Sequence, residues 1–176
     1  VAYKAASLLA LLLAAWFAWE LGRELQGERA GLIVGVIYLY SPYLLYDSHI
    51  RGSLPETLGL SILPLVFLFL RRAARGDPKA IAPAALSFAA FTVAHHGIMI
   101  QTSPLIGAWG LYHVVTHIRA ASLPCLAVRP VQGDDRPYGR FLLPAERSFF
   151  LLSLFLGFML SAFFWLPALT ESKYAQ

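Results

Sequence analysis

The chain of 176 residues is 58% hydrophobic and only 14% charged, with a mean hydropathy of +0.62, whereas a soluble domain carries about 25% charged residues. This composition excludes an ordinary soluble domain and points to an all-α, membrane-embedded helical bundle. The formal charge of +4 would suit nucleic acid, but the basic residues stand beside apolar runs and form no soluble basic face.

Six apolar segments follow one another, with no internal repeat and no second soluble domain, so residues 1–176 read as a single transmembrane helical domain. The first, residues 2–19, exceeds the roughly 17 residues a spanning helix needs. Trp16 and Trp19 close it, as aromatic rings do at a membrane interface. It is too long for a signal-peptide apolar region, and E-L-G-R-E-L follows in place of a small-residue cleavage context. The chain opens without Met and ends in T-E-S-K-Y-A-Q, which reads as part of a longer protein.

The second segment, 30–46, ends in Tyr38, Tyr40, Tyr43 and Tyr46. These form either an aromatic interfacial belt or the lining of a polar cavity. Pro42 removes a backbone donor and restricts Ser41, which predicts a break in the helix there. In the third segment, 54–70, Pro55 suits a first helical turn, Ser53 an N-cap, and Glu56 the positive end of the helix dipole. Pro64 predicts a mid-span kink. The basic run R-R-A-A-R-G-D-P-K follows.

The fourth segment, 80–94, is rich in Ala and runs into His95, His96 and Gly97. The fifth, 98–115, carries Gln101, Thr102, Ser103 and Pro104 in its first two turns, a polar patch tolerated against protein or water but not against lipid. Residues 117–147 are polar and Pro-rich. Asp134 and Asp135 there read as solvated loop residues, and the lone Cys125 allows no internal disulfide. The sixth segment, 148–166, is dense in Phe, with Trp165 and Pro167 at its end.

The loops alternate in charge. Segments 20–29, 71–79 and 117–147 hold eleven of the fourteen Lys and Arg residues, which makes them cytoplasmic by the positive-inside rule. The expected protein is a multi-pass cell-membrane protein. Its Asp47–Glu56 loop, His95, His96, Glu171 and both chain ends are then extracytoplasmic.

The stretch Y-L-L-Y-D-S-H-I-R-G-S-L-P-E, residues 43–56, stands apart on that face. It packs Asp47, His49, Arg51 and Glu56 into ten residues, although charge beside a bilayer is expensive to keep. Candidate functional residues are these four with His95, His96, Gln101 and Glu171. Asp47, His49, His95 and His96 offer oxygen and imidazole ligands for a divalent metal ion, at a spacing that matches no known signature. Arg51 beside Gly52 either grips a phosphate with its guanidinium fork or pairs with Asp47 or Glu56. The His95-His96 pair also reads as a helix end at the interface.

The run R-G-S-L-P-E, the following apolar helix with its mid-span L-P-L-V-F, and the ending S-A-F-F-W-L-P-A-L-T-E-S-K-Y carry a resemblance. They resemble the GT-C-type polytopic bacterial membrane proteins, in particular the membrane family known as 6-pyruvoyl-tetrahydropterin synthase-related, and more loosely the YfhO-like group. The resemblance covers most of the chain on short motifs and does not extend to pterin chemistry. It implies transfer of a sugar from a polyprenyl-phosphate-linked donor at the extracytoplasmic face, with an acidic residue of the first outer loop as base or metal ligand. Asp47 does not stand in that place, so the catalytic acid would lie upstream of Val1. The matching pair is Arg51 and Glu56: Arg51 toward the donor phosphate, Glu56 orienting it. His95 and Glu171 would then be walls of the same substrate-binding cavity. A reading from another class is a non-catalytic transporter or assembly component that binds a lipid head group with the same charged face.

Overall fold

The computed structural model describes residues 2–122 and 144–161. Among them every regular element is helical and none is a strand. In an apolar medium a helix satisfies its own backbone donors and acceptors, which is why so apolar a chain adopts it. The elements are α1 (Ala2–Gln26), α2 (Glu28–Leu39), α3 (Pro42–Tyr46) continued by a π turn (Asp47–Arg51), α4 (Leu54–Ala74), a 3-10 turn (Pro78–Ala80), α5 (Ile81–Ala94), α6 (His96–Ser122) and α7 (Pro144–Leu160).

The first two helices form an antiparallel hairpin that reverses at Gly27, whose φ of 91° lies in the left-handed region. They touch through small residues. On α1 the buried positions are Ala10, Ala14, Ala18 and Gly22; on α2 they are Gly31 and Gly35. A Cβ on Gly31 would lie 2.7 Å from the Trp19 carbonyl oxygen, and one on Gly35 3.1 Å from that of Ala15. Small residues four apart let two backbones approach this closely. The large apolar side chains point the other way: Leu8, Leu12, Leu32, Ile33, Val36 and Ile37 are all exposed. So extended an apolar surface is foreign to a soluble monomer and suits lipid.

At the centre stands α4. Its Leu63, Val66, Leu70 and Ala74 pack with Ala84, Phe88 and Phe91 of α5, Ile98 and Ile106 of α6, and Phe150 of α7. The α5–α7 contact is again close, since a Cβ on Gly157 would lie 2.7 Å from the Ala85 carbonyl oxygen.

The prolines act as expected at two positions, and a third is accommodated by a side chain from another helix. Pro42 starts a new helix, and the α2 and α3 pair is bent by 42°. Pro55 lies in the first turn of α4. Pro64 sits inside α4, which is helical from Leu54 to Ala74. Proline has no N–H, so the carbonyl of Leu60 loses its helical donor. The Tyr38 hydroxyl donates to that carbonyl instead, at 2.6 Å. Pro104 in α6 is served in the same way: the Ser103 hydroxyl donates to the Ile100 carbonyl at 2.8 Å.

Two helices, α1 and α4, are long and apolar enough to cross a membrane, and the bent pair α2 with α3 makes a third if taken as one span. The expected count of six is therefore met for two or three spans among the described residues. The α5 helix has 14 residues, or about 21 Å at 1.5 Å per residue, short of a hydrocarbon core of about 30 Å. The polar segment 20–29 is also almost wholly helical, because α1 runs on to Gln26 and α2 begins at Glu28. The Arg23–Glu20 ion pair at 2.7 Å lies along one helix face there.

Two of the three basic segments meet at one end of the bundle. Glu24 of α1 lies 2.6 Å from Arg72, 3.7 Å from Arg71 and 3.8 Å from Arg75, so segments 20–29 and 71–79 share one end of the bundle. At the other end a Cβ on Gly52 would lie 3.2 Å from the Tyr3 hydroxyl, which joins the start of α1 to the 43–56 stretch. Cys125, Asp134, Asp135, Trp165, Pro167 and Glu171 lie outside the described residues.

Candidate functional site

The site begins with Pro42, which opens α3 after an extended Ser41. Tyr43, Asp47 and Arg51 then follow at four-residue spacing, which aligns them on one helical face. The last turn widens to a π turn, and the Gly52 N–H donates to the Asp47 carbonyl at 2.9 Å. Gly52 closes it at a φ of 65°, a left-handed conformation that favours glycine. Ser53 stands at the N-cap of α4, as expected, but its side chain makes no cap bond. Its carbonyl instead accepts the Thr57 N–H at 3.0 Å and lies 3.0 Å from the Thr57 hydroxyl oxygen.

This fold-back brings Arg51 and Glu56 together. Arg51 Nη1 lies 3.1 Å from each Glu56 carboxylate oxygen. The Tyr43 hydroxyl donates to Glu56 Oε1 at 2.6 Å. Asp47 is fully buried and accepts from the Thr57 hydroxyl through Oδ2 at 2.9 Å. Its Oδ1 is 3.9 Å from Arg51 Nη1 and has no hydrogen-bond partner. Asp47 Oδ1 and both Glu56 carboxylate oxygens thus lie within 3.9 Å of the same Arg51 nitrogen. Exposure is graded across the cluster: the Arg51 side chain is 49% exposed, that of Glu56 6% and that of Asp47 0%. The guanidinium therefore covers two buried carboxyls, in a surrounding where unpaired charge is costly.

His95 joins the same end of the bundle. It links α5 to α6 in an extended conformation, and its Nδ1 accepts the Ile98 N–H at 3.1 Å. That bond caps the first turn of α6 as an N-cap side chain does. A ring nitrogen that accepts carries no proton, so this bond requires the neutral ring protonated at Nε2. His95 also packs against Gly59 of α4, with 3.5 Å to the position of a Cβ there, about one helical turn from Glu56. His96 stacks on His95 with 5.8 Å between ring centres.

Other candidates are not gathered here. His49 contacts the Ser48 hydroxyl and the Leu45 carbonyl, at 2.8 and 3.2 Å, and borders a shallow apolar groove with Pro42, Leu45, Tyr46 and Ile50. Gln101 is exposed on α6. Among the described residues no three His, Cys, Asp or Glu side chains converge as a metal site, so the Asp47, His49, His95 and His96 ligand set does not form. Glu171 lies outside the described residues, and its place beside this site is not defined.

Sequence reasoning offered Tyr43 only as one of four tyrosines for a belt or a polar cavity and missed Thr57; these two hold the carboxyls. The spacing of Tyr43, Asp47 and Arg51 was a usable signal for the first; Thr57 had none beyond its position after Glu56. The tyrosine row divides between its two readings. Tyr40, Tyr43 and Tyr46 are all exposed, while Tyr38 and Tyr43 each reach a polar partner on α4. No family model, no curated protein and no solved structure matches this chain.

Proposed function

We propose that the chain belongs to a multi-pass integral membrane protein, with six spans in all, whose Arg51 end is extracytoplasmic and receives an anionic phosphate group. The observation that carries this reading is the position of Arg51. Its guanidinium is half exposed at one end of an apolar bundle, anchored by Glu56 at 3.1 Å, and five N–H donors in a planar fork suit a phosphate. The opposite orientation would put the Glu24, Arg71, Arg72 and Arg75 cluster outside, against the positive-inside rule.

Together with the GT-C resemblance, this supports a glycosyltransferase-like protein acting on a polyprenyl-phosphate-linked sugar donor. In that role Arg51 holds the donor phosphate, Glu56 orients Arg51, and His95 and Glu171 are walls of the cavity. One observation favours the second reading, a non-catalytic transporter or assembly component that binds a lipid head group. Both Asp47 and Glu56 are buried behind Arg51, and neither is presented as a base to an incoming acceptor.

Transfer of a radiolabelled sugar from a lipid-linked donor, assayed in membranes, tests the first reading. Arg51→Ala is expected to abolish transfer while the protein still inserts. Full transfer by that variant rejects the role of Arg51. Binding of the lipid phosphate without transfer by the native chain selects the second reading.

A further inference from the structure

Among the described residues, the bonds made by Asp47 and Glu56 leave one negative charge unanswered. Glu56 accepts from Tyr43 and Arg51. Asp47 accepts from Thr57 through one oxygen, and the other is buried with no donor. A buried, unpartnered carboxylate oxygen is among the costliest groups a protein can keep. Arg51 Nη1, at 3.1 Å from Glu56 and 3.9 Å from Asp47, supplies one positive charge to two carboxyls.

Among the described residues, the groups facing the pair from the neighbouring elements do not supply a second. Tyr43 of α3 is a neutral donor already engaged with Glu56. Thr57 of α4 is neutral and engaged with Asp47. His95, at the α5–α6 junction and packed against Gly59 of α4, accepts the Ile98 N–H through Nδ1, a bond only the uncharged ring can make. Two carboxyls sharing a site cannot both ionise freely. A single proton resolves both difficulties, because an acid O–H between the two carboxyls supplies the donor that Asp47 Oδ1 lacks and removes the surplus charge.

We propose that Asp47 and Glu56 bind one proton between them, and that this proton is what allows the Arg51 end of the bundle to accept an anionic phosphate group. The second half rests on the reading of Arg51 as an anion-binding residue. With both carboxyls ionised, the three side chains carry a net charge of −1 and repel an anion. With one proton taken up from solvent they are neutral. A phosphate then draws Arg51 away from Glu56, and Glu56 keeps a partner in the acid–carboxylate hydrogen bond to Asp47.

Infrared spectroscopy of the full chain in lipid bilayers at neutral pH tests the bound proton directly. A protonated-carboxyl C=O band that shifts in heavy water is expected in the native protein. It is expected to vanish in Asp47→Asn and in Glu56→Gln, since either leaves one carboxylate beside Arg51, and to persist in Glu28→Gln, which alters an exposed acid on α2. Absence of the band in the native protein overturns the proposal, and that measurement needs no variant to fold. Persistence of the band in both Asp47→Asn and Glu56→Gln overturns it too.

The coupling is read separately with dodecyl phosphate as probe. Its affinity is expected to fall about tenfold per pH unit above the pH at which the band disappears. Binding that is flat through that pH overturns the coupling. No binding at any pH, with the band present, rejects the Arg51 reading and the coupling while the bound proton stands. Inorganic phosphate separates the two sources of the anion: tighter binding of dodecyl phosphate supports a lipid-borne group, and equal binding supports the free ion.

Discussion

The Tyr38 hydroxyl donates to the Leu60 carbonyl at 2.6 Å, and Leu60 is the residue whose helical donor Pro64 removes. One side chain from α2 thus repairs the α4 ladder 22 residues away and fastens the two helices together. Tyr38→Phe keeps the ring and removes only the donor. It is expected to destabilise the bundle by about 1–3 kcal/mol, the cost of leaving a buried carbonyl unsatisfied, measured by reversible unfolding in detergent. Pro64→Ala in the same background restores an N–H to the Leu60 carbonyl and is expected to recover most of the loss.

Thr57 holds Asp47 in place. Thr57→Val matches its shape and removes the hydroxyl that donates to Asp47 Oδ2 at 2.9 Å, so that oxygen of the buried carboxyl loses its donor. A loss of about 1–3 kcal/mol is expected in the same unfolding measurement. Thr57→Ser retains the hydroxyl and is expected to stay near native stability. An equal loss in the two variants would show that packing of the methyl, not the bond to Asp47, is what matters.

The α1–α2 hairpin reverses the usual rule for size. Gly35→Leu places side-chain atoms where a Cβ alone already lies 3.1 Å from the Ala15 carbonyl oxygen, and it is expected to cost about 1–3 kcal/mol through overpacking. Leu32→Ala removes a large apolar side chain that is 60% exposed, and it is expected to change stability by less than about 0.5 kcal/mol. The two variants, compared by thermal unfolding, separate small-residue packing from general apolar burial.

Orientation is open to sided labelling. In a Cys125→Ala background, Ile50→Cys places a thiol at a position 72% exposed, and Lys79→Cys places one at the other end of the bundle. An impermeant thiol reagent applied to intact cells is expected to label the first, and to reach the second only after permeabilisation. The opposite pattern would invert the topology and remove the proposed extracytoplasmic site.

Local rules read much of this chain from its sequence. Apolar runs without strand-like alternation specify helices, Pro42 specifies a break and Pro55 a start, because these effects act on a residue and its immediate neighbours. The sharing of one bundle end by segments 20–29 and 71–79 was also legible, since charge alternation follows from the requirement that each span cross the bundle. Of the expected spans, two or three meet the length and composition of a crossing helix among the described residues, because hydropathy counts apolar residues, whereas a short helix such as α5 is judged by its length.

Only the tertiary structure decided which partners the polar residues take. Arg51 had three open possibilities in sequence, a phosphate, Asp47 or Glu56. The π turn and the left-handed Gly52 place it on Glu56 and over Asp47. The same fold-back buries Asp47 completely, although nothing in D-S-H-I-R distinguishes a surface aspartate from an interior one. Tyr38 with Leu60, and Tyr43 with Glu56, are pairings of distant residues set by how α2 and α3 dock on α4. Composition and periodicity act along the chain and determine helices and their ends; the pairing of charges and donors acts across it, where only the packed arrangement sets the distances.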